Sequence, residues 1–240
     1  MQRRTRRIRP APERAGPTYA AGPMTTLFLI RHGLTAVTGT TLYGRTPGVP
    51  LDERGRAQAA SLAERFDPIR LTAVYSSPLD RCAETVAPLA TRQRLDVEMR
   101  DGLLEMDVGA WTNRSLAQVR RTRLWKDVIH RPSQFRFPDG ESFAEAQTRA
   151  LRELHAIAAR HPRGRVAIAS HGDVIRMAIA HFAGAHLDLF QRTVVDPASV
   201  SVVHLGEHGP HVALVNDTGS LERFAAPPRR RPKQQRNLRG

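Results

Sequence analysis

Two short apolar runs in this sequence end in the same way. Leu27 to Ile30 leads into Arg31, His32 and Gly33, and Val166 to Ala169 leads into Ser170, His171 and Gly172. A neutral imidazole is able to attack phosphorus, and an adjacent guanidinium binds non-bridging phosphoryl oxygens in a planar, bidentate way that lysine does not reproduce. Gly33 lets the backbone turn tightly behind the first histidine. A third run, Ala73 to Ser76, passes through Ser77, Pro78, Leu79 and Asp80 to Arg81. This stretch opens a helix whose free N–H groups and dipole favour an anion. Leu104 to Trp111 adds Glu105 and Asp107 beside a large aromatic ring, where desolvation is able to hold one carboxyl protonated. Taken singly, each feature has a plainer reading: a structural histidine at a strand end, an ion pair of Arg31 or Arg81 with Glu84 or Asp80, a capping role for Glu105.

The elements that must position these residues follow from periodicity. Strands are predicted at Leu27 to Ile30, Ala73 to Ser76, Leu95 to Glu98, Val166 to Ser170, Val200 to Leu205 and Val212 to Val215. Helices are predicted between them, at Gly55 to Phe66, Asp80 to Thr91, Ser115 to Val128, Ser142 to Arg160 and Asp173 to Phe182, with Pro88 ending or kinking the second. Ser142 and Glu145 form a capping box ahead of a stripe of Phe143, Ala146, Ala150, Leu154 and Ile157. The alternation implies an α/β fold, a mainly parallel central sheet with helices on both faces, in which ligands bind beyond the carboxyl ends of the strands.

Across Leu27 to about Val215 the chain resembles the histidine phosphatase superfamily, also called phosphoglycerate mutase-like. The resemblance is carried in order by Leu29 to Gly33, by Gly44 and Arg45 with Leu51 to Gly55, by Ser76 to Thr85, by Leu104 to Trp111, by Pro138 to Ser142 and by Ser170 to Gly172. It implies a phosphoglycerate mutase-like fold in which His32 accepts the phosphoryl group. Arg31, Arg81 and His171 then surround the phosphoryl oxygens, and Glu105 is the proton donor. Phosphoryl transfer spreads charge over three equatorial oxygens, so fixed positive charge and positioning supply most of the catalysis without a metal. Thr38 and Arg45 are further phosphate- or substrate-binding candidates. Thr38 stands where many members carry Asn, and Leu34, Met106, Val108, Asn113 and Ser220 are other departures.

The expected activity is a metal-independent, cofactor-free phosphomonoesterase acting on a small phosphorylated metabolite. A phosphomutase using the same phosphohistidine is the alternative. The Arg- and Tyr-bearing stretch that cofactor-dependent mutases carry after the acid is not found between Met106 and Leu124. Asp107 and Asp173 are rival proton donors to Glu105. Trp111, Phe135 and Phe137 read as either core or a substrate wall. The remaining histidines lack ligand spacing, so no metal site is expected.

The formal charge of +14 suggests a polyanion partner only until its position is considered. Residues 1–23 carry +5 and residues 225–240 carry +6, leaving +3 for the stretch between them. The expected organisation is a disordered basic extension at 1–23, the catalytic domain at 24–224 and a disordered basic tail at 225–240. Met24 allows residues 1–23 to be read equally as a working tail or an over-long translation start. A polyanion-binding protein with an inactive core is a third reading of these arms. They allow non-specific, salt-dependent adhesion, while no specific nucleic-acid partner is expected. No run of about 18 apolar residues is present, which excludes a helical membrane span. The single cysteine, Cys82, excludes an intramolecular disulfide and fits a reducing cytoplasm.

Overall fold

The computed structural model describes residues 24–221 and 224–225. Of the expected basic arms, residues 1–23 and all of 225–240 except residue 225 lie outside the described residues. The chain forms β1 (Met24–Arg31), β2 (Thr41–Leu42), α1 (Glu53–Arg65), β3 (Ala73–Ser76), α2 (Asp80–Gln93), β4 (Val97–Met99), β5 (Arg114–Ser115), α3 (Leu116–Val119), α4 (Trp125–His130), α5 (Phe143–Arg160), β6 (Arg165–Ser170), α6 (Gly172–Phe182), β7 (Val200–Gly206) and β8 (Gly209–Asp217). Six strands make one sheet in the order β4-β3-β6-β1-β7-β8. β4, β3, β6 and β1 are parallel, and β7 runs antiparallel to β1 and to β8. β2 and β5 pair separately as a two-residue ladder.

β1 shows why its run is continuously apolar. Side chains alternate across a strand, and both faces here are covered. Phe28 and Ile30 pack with Leu62 of α1, with Phe66 that caps it, and with Val86 and Leu89 of α2 on one side. Leu27 and Leu29 pack with Leu154 and Ile157 of α5 and with Ile175 and Ile179 of α6 on the other. A third cluster, including Trp111, Val119, Val128, Phe135 and Phe143, fills the insertion between β4 and α5.

Two expected elements differ. α2 runs through Pro88 to Gln93, because Val86, Leu89 and Ala90 are buried around the proline and hold the last turn against the core. Packing there outweighs the lost backbone hydrogen bond. The single helix expected over Ser115 to Val128 is two short ones, α3 and α4. The amide of Thr122 donates to the Val119 carbonyl at 3.0 Å and its hydroxyl donates to the same oxygen at 2.7 Å, which closes the first helix before Trp125 opens the second.

The strand register places the chemical groups. Arg31 is opposite Ser170 across the β1–β6 ladder, and the His32 amide donates to the Ser170 carbonyl at 3.0 Å. His32 and His171 therefore leave the sheet side by side. Gly33 and Gly55 are required by close approach: a Cβ on Gly33 would lie 2.9 Å from the Gly55 carbonyl oxygen, and one on Gly55 would lie 2.0 Å from that of Leu34. Gly33 has no positive φ, so its smallness rather than its conformational freedom is used.

Candidate active site

His32 is buried at the end of β1, with Nδ1 2.8 Å from the Gly33 carbonyl oxygen. A carbonyl only accepts, so Nδ1 carries the proton in this contact and the Nε2 lone pair is left for the cavity. Burial pushes the His32 imidazole down to about 3, and the charges of Arg81 and Arg31 act in the same direction against the Gly33 hydrogen bond. The ring is neutral at physiological pH. The Gly33 amide in turn donates to Thr85 Oγ1 of α2 at 2.9 Å, tying the turn to the helix that carries Arg81.

His171 stands at the N-terminus of α6 with its ring centroid 5.3 Å from that of His32. Its Nε2 is 2.8 Å from Ser77 Oγ and its Nδ1 is 3.9 Å from Glu105 Oε2. Burial, followed by His32 and then Arg81, lowers its pKa well below the usual imidazole range. Arg81 is fully buried, lies 4.5 Å from the centre of the Tyr43 ring and donates to the Gly44 carbonyl at 2.7 Å. Arg31 donates to the Val195 carbonyl at 2.6 Å and packs against Gly172, where a Cβ would meet its Nε at 3.2 Å. The Nε of each of these arginines is buried without a hydrogen-bond partner. Neither forms an ion pair with a carboxylate among the described residues. Asp80 and Glu84 instead accept from the backbone amides of Gly48 and Leu51, at 3.0 and 2.8 Å. Buried guanidinium groups with free Nε donors and no carboxylate ion pair, beside a neutral imidazole, are an arrangement that an oxyanion completes.

Glu105 faces the same cavity, about 250 Å³ in volume, together with Arg31, His32, Thr38 and Asp173. Burial raises its carboxyl to about 7, and Asp173 adds to the rise. The hydrogen bond from the Met106 amide to Oε1, and the charges of Arg81 and Arg31, oppose it. Such a group holds and releases a proton near neutrality. Thr38 Oγ1 accepts from the Thr35 amide at 3.0 Å and lines the cavity.

Arg45 contacts the acid-bearing loop and the segment before α5. Its Nε donates to the Glu105 carbonyl at 2.8 Å and its NH2 group pairs with Glu141 at 3.0 Å, which ties the acid-bearing loop to the segment before α5. Arg149 of α5 completes this clamp. It binds Glu141 through Nε at 3.0 Å and donates to the carbonyls of Gly102 and Leu104 at 2.8 and 3.0 Å. Arg149→Met would strand these carbonyls and leave Glu141 half-paired. An expected loss of about 2–3 kcal/mol is read from urea unfolding midpoints. A change below about 0.5 kcal/mol, the range of an ordinary surface substitution, would remove the clamp from the account.

Of the proposed aromatic wall, Phe137 borders the cavity, while Trp111 and Phe135 are core. The wall also includes Leu116 and Trp125, which sequence reasoning missed. Tyr43, Ser77, Arg149 and Arg176 were missed as well. Tyr43 and Ser77 adjoin recognised motifs and Arg176 lies one helical turn beyond Asp173, but nothing local marks Arg149. Cys82 is buried against His171, 3.5 Å from Nε2, and burial pushes its thiol above the usual range. Among the described residues no group of three His, Cys, Asp or Glu is placed to hold a metal, and no helix is long and apolar enough to cross a membrane.

The family model described as histidine phosphatase superfamily (branch 1) matches residues 27–218. Phosphoserine phosphatase 1 of Hydrogenobacter thermophilus is 30% identical over 206 residues, 84% of this chain and 96% of that protein. A probable phosphoglycerate mutase of Proteus mirabilis is 30% identical over 151 residues, 62% of this chain and 70% of its own length. Among solved structures, YhfR of Bacillus stearothermophilus is similar with a TM-score of 0.77 at 28% identity, over 81% of this chain and 98% of that one.

Proposed function

The chain belongs to the histidine phosphatase superfamily, and on that premise we propose that it is a phosphomonoesterase that works without a metal through a phosphohistidine at His32. The observation that carries this reading is the His32 ring: neutral, with Nδ1 anchored on the Gly33 carbonyl, Nε2 left free by that contact, and the ring within the electrostatic reach of two guanidiniums that form no carboxylate ion pair among the described residues. In the first half-reaction Nε2 forms a bond to phosphorus as the ester P–O bond breaks. Glu105, protonated, gives its proton to the departing alkoxide. In the second, the Glu105 carboxylate takes a proton from water as that water attacks phosphorus and the N–P bond breaks. Arg31 and Arg81 hold the equatorial oxygens throughout, and the neutral His171 donates one further hydrogen bond.

The domain assigned to this work is residues 24–224, and the compartment is the cytoplasm, in keeping with one buried free cysteine. The Proteus mirabilis relative supports a second reading, a phosphomutase, which shares the first half-reaction but returns the phosphoryl group to another hydroxyl.

Phosphate release from 4-nitrophenyl phosphate in excess chelator is the direct test. Full activity is expected, because fixed guanidinium charge stands where other phosphatases place a cation. Activity lost to the chelator and restored by a divalent metal would overturn the metal-independent reading. Phosphoryl exchange between hydroxyls without phosphate release would favour the mutase.

A further inference from the structure

The charges facing the cavity, taken with the phosphatase reading on which this inference rests, constrain the other half of the substrate. Arg31 in the cavity wall and the fully buried Arg81 beside Tyr43 have no carboxylate ion pair among the described residues, and together they match the two negative charges of a phosphomonoester dianion. Arg176 also lines the cavity, but its NH1 group is 3.0 Å from Asp173 Oδ1 one helical turn away. The two act on Arg31 with opposite sign, Arg176 lowering and Asp173 raising its pKa, so both belong to the same electrostatic site. Arg45 and Arg149 share the Glu141 carboxylate and point their remaining donors at backbone carbonyls. The Arg176 Nε is buried without a hydrogen-bond partner, but the charge of that side chain is already met by Asp173, so among the described residues lining the cavity no cation without a neighbouring carboxylate is left for a second anionic group. Leu116, Trp125 and Phe137 add apolar surface to the wall.

We infer that the substrate is a small phosphomonoester whose non-phosphate part carries no net negative charge, a neutral or zwitterionic alcohol phosphate. The Asp173–Arg176 pair selects against phosphorylated carboxylates and bisphosphates. A carboxylate entering beside the phosphate must either face Asp173 or compete with it for Arg176, and both oppose binding. A zwitterion escapes this cost, since its ammonium and carboxylate complement the pair. The apolar wall favours carbon over a further charge.

Glycerol 3-phosphate and 3-phosphoglycerate share a carbon skeleton and differ by a hydroxymethyl against a carboxylate, so the ratio of their kcat/KM values isolates the charge. At low ionic strength the neutral ester should be favoured about 10-fold or more, and phosphoserine, whose organic part has no net charge, should group with it. In Asp173→Asn the freed Arg176 should move the ratio about 10-fold toward the carboxylate. Any general loss of activity in that variant cancels in the ratio. Arg176→Met should leave 3-phosphoglycerate disfavoured. Wild-type protein that turns over 3-phosphoglycerate as well as glycerol 3-phosphate would overturn the inference, whether or not Asp173→Asn folds, and so would a ratio unmoved by that substitution. Failure to release phosphate from any ester, 4-nitrophenyl phosphate included, would instead count against the phosphatase reading.

Discussion

His32→Ala should lose turnover by roughly 10⁴-fold or more, the scale on which enzymes fail when a covalent nucleophile is removed. Wild-type protein mixed briefly with substrate and quenched in alkali should carry an acid-labile, base-stable phosphoryl group on His32. Nδ1 is committed to the Gly33 carbonyl, so the label belongs on Nε2. A neutral ring pushed down to about 3 needs no deprotonation before it attacks, and kcat/KM should therefore show no acid limb from this residue above about pH 4. Vanadate binding by the variant, through Arg31, Arg81 and His171, would show that the site is still assembled. A label on a serine, or normal turnover by His32→Ala, would end the covalent assignment.

Glu105→Gln should separate substrates by leaving group. kcat/KM reports steps up to departure of the alcohol, so alkyl phosphates, whose alkoxide needs a proton, should fall by about 10² to 10⁴. 4-Nitrophenyl phosphate should fall by less than about 10-fold, because nitrophenolate leaves without assistance. The pH dependence follows from the same group. Its folded-state pKa is raised to about 7, and the protonated form is the donor, so alkyl kcat/KM should decline above about pH 7. The Gln variant should lack that limb. If aryl and alkyl esters fell by one common factor, Glu105 would be a binding or structural group and Asp173, in the same cavity, would be the donor to test next.

What the sequence made legible was local. The run from Leu27 to Ile30 reads as a fully buried strand because both faces of β1 are covered; Arg31, His32, Arg81 and His171 sit at element ends, and Glu105 in a loop, that short motifs mark. Pro88 does not end its helix, since a local rule about proline takes no account of Val86 and Leu89 packing around it. The contacts of Arg45 were unreadable for a related reason. A guanidinium in a loop has no fixed destination until its partner is known, and Glu141 lies 96 residues away in the chain. Arg149 was invisible because its role is to collect carbonyls from a loop that the helical pattern of α5 does not mention. The charge closure of Arg176 by Asp173 is readable as an i,i+3 pair, but its position at the cavity is a tertiary fact.

The pairing of Arg31 with Ser170 across the β1–β6 ladder has a consequence for how such a protein can change. The distance between the two imidazoles is indexed by backbone hydrogen bonds in the middle of the sheet, so a one-residue slip in either strand would turn each side chain to the opposite face and dismantle the pair. Much of the uncharged lining of the cavity is set apart from that indexing: Thr38 and Tyr43 lie between β1 and α1, and Leu116, Trp125 and Phe137 lie in the insertion between β4 and α5, whereas the charged Asp173 and Arg176 follow His171 on α6. The uncharged part of the wall is thus modular. A loop of different length or composition can be exchanged for another while the reacting nitrogen keeps its address, so the fold can acquire new substrates by editing its periphery without relearning its chemistry.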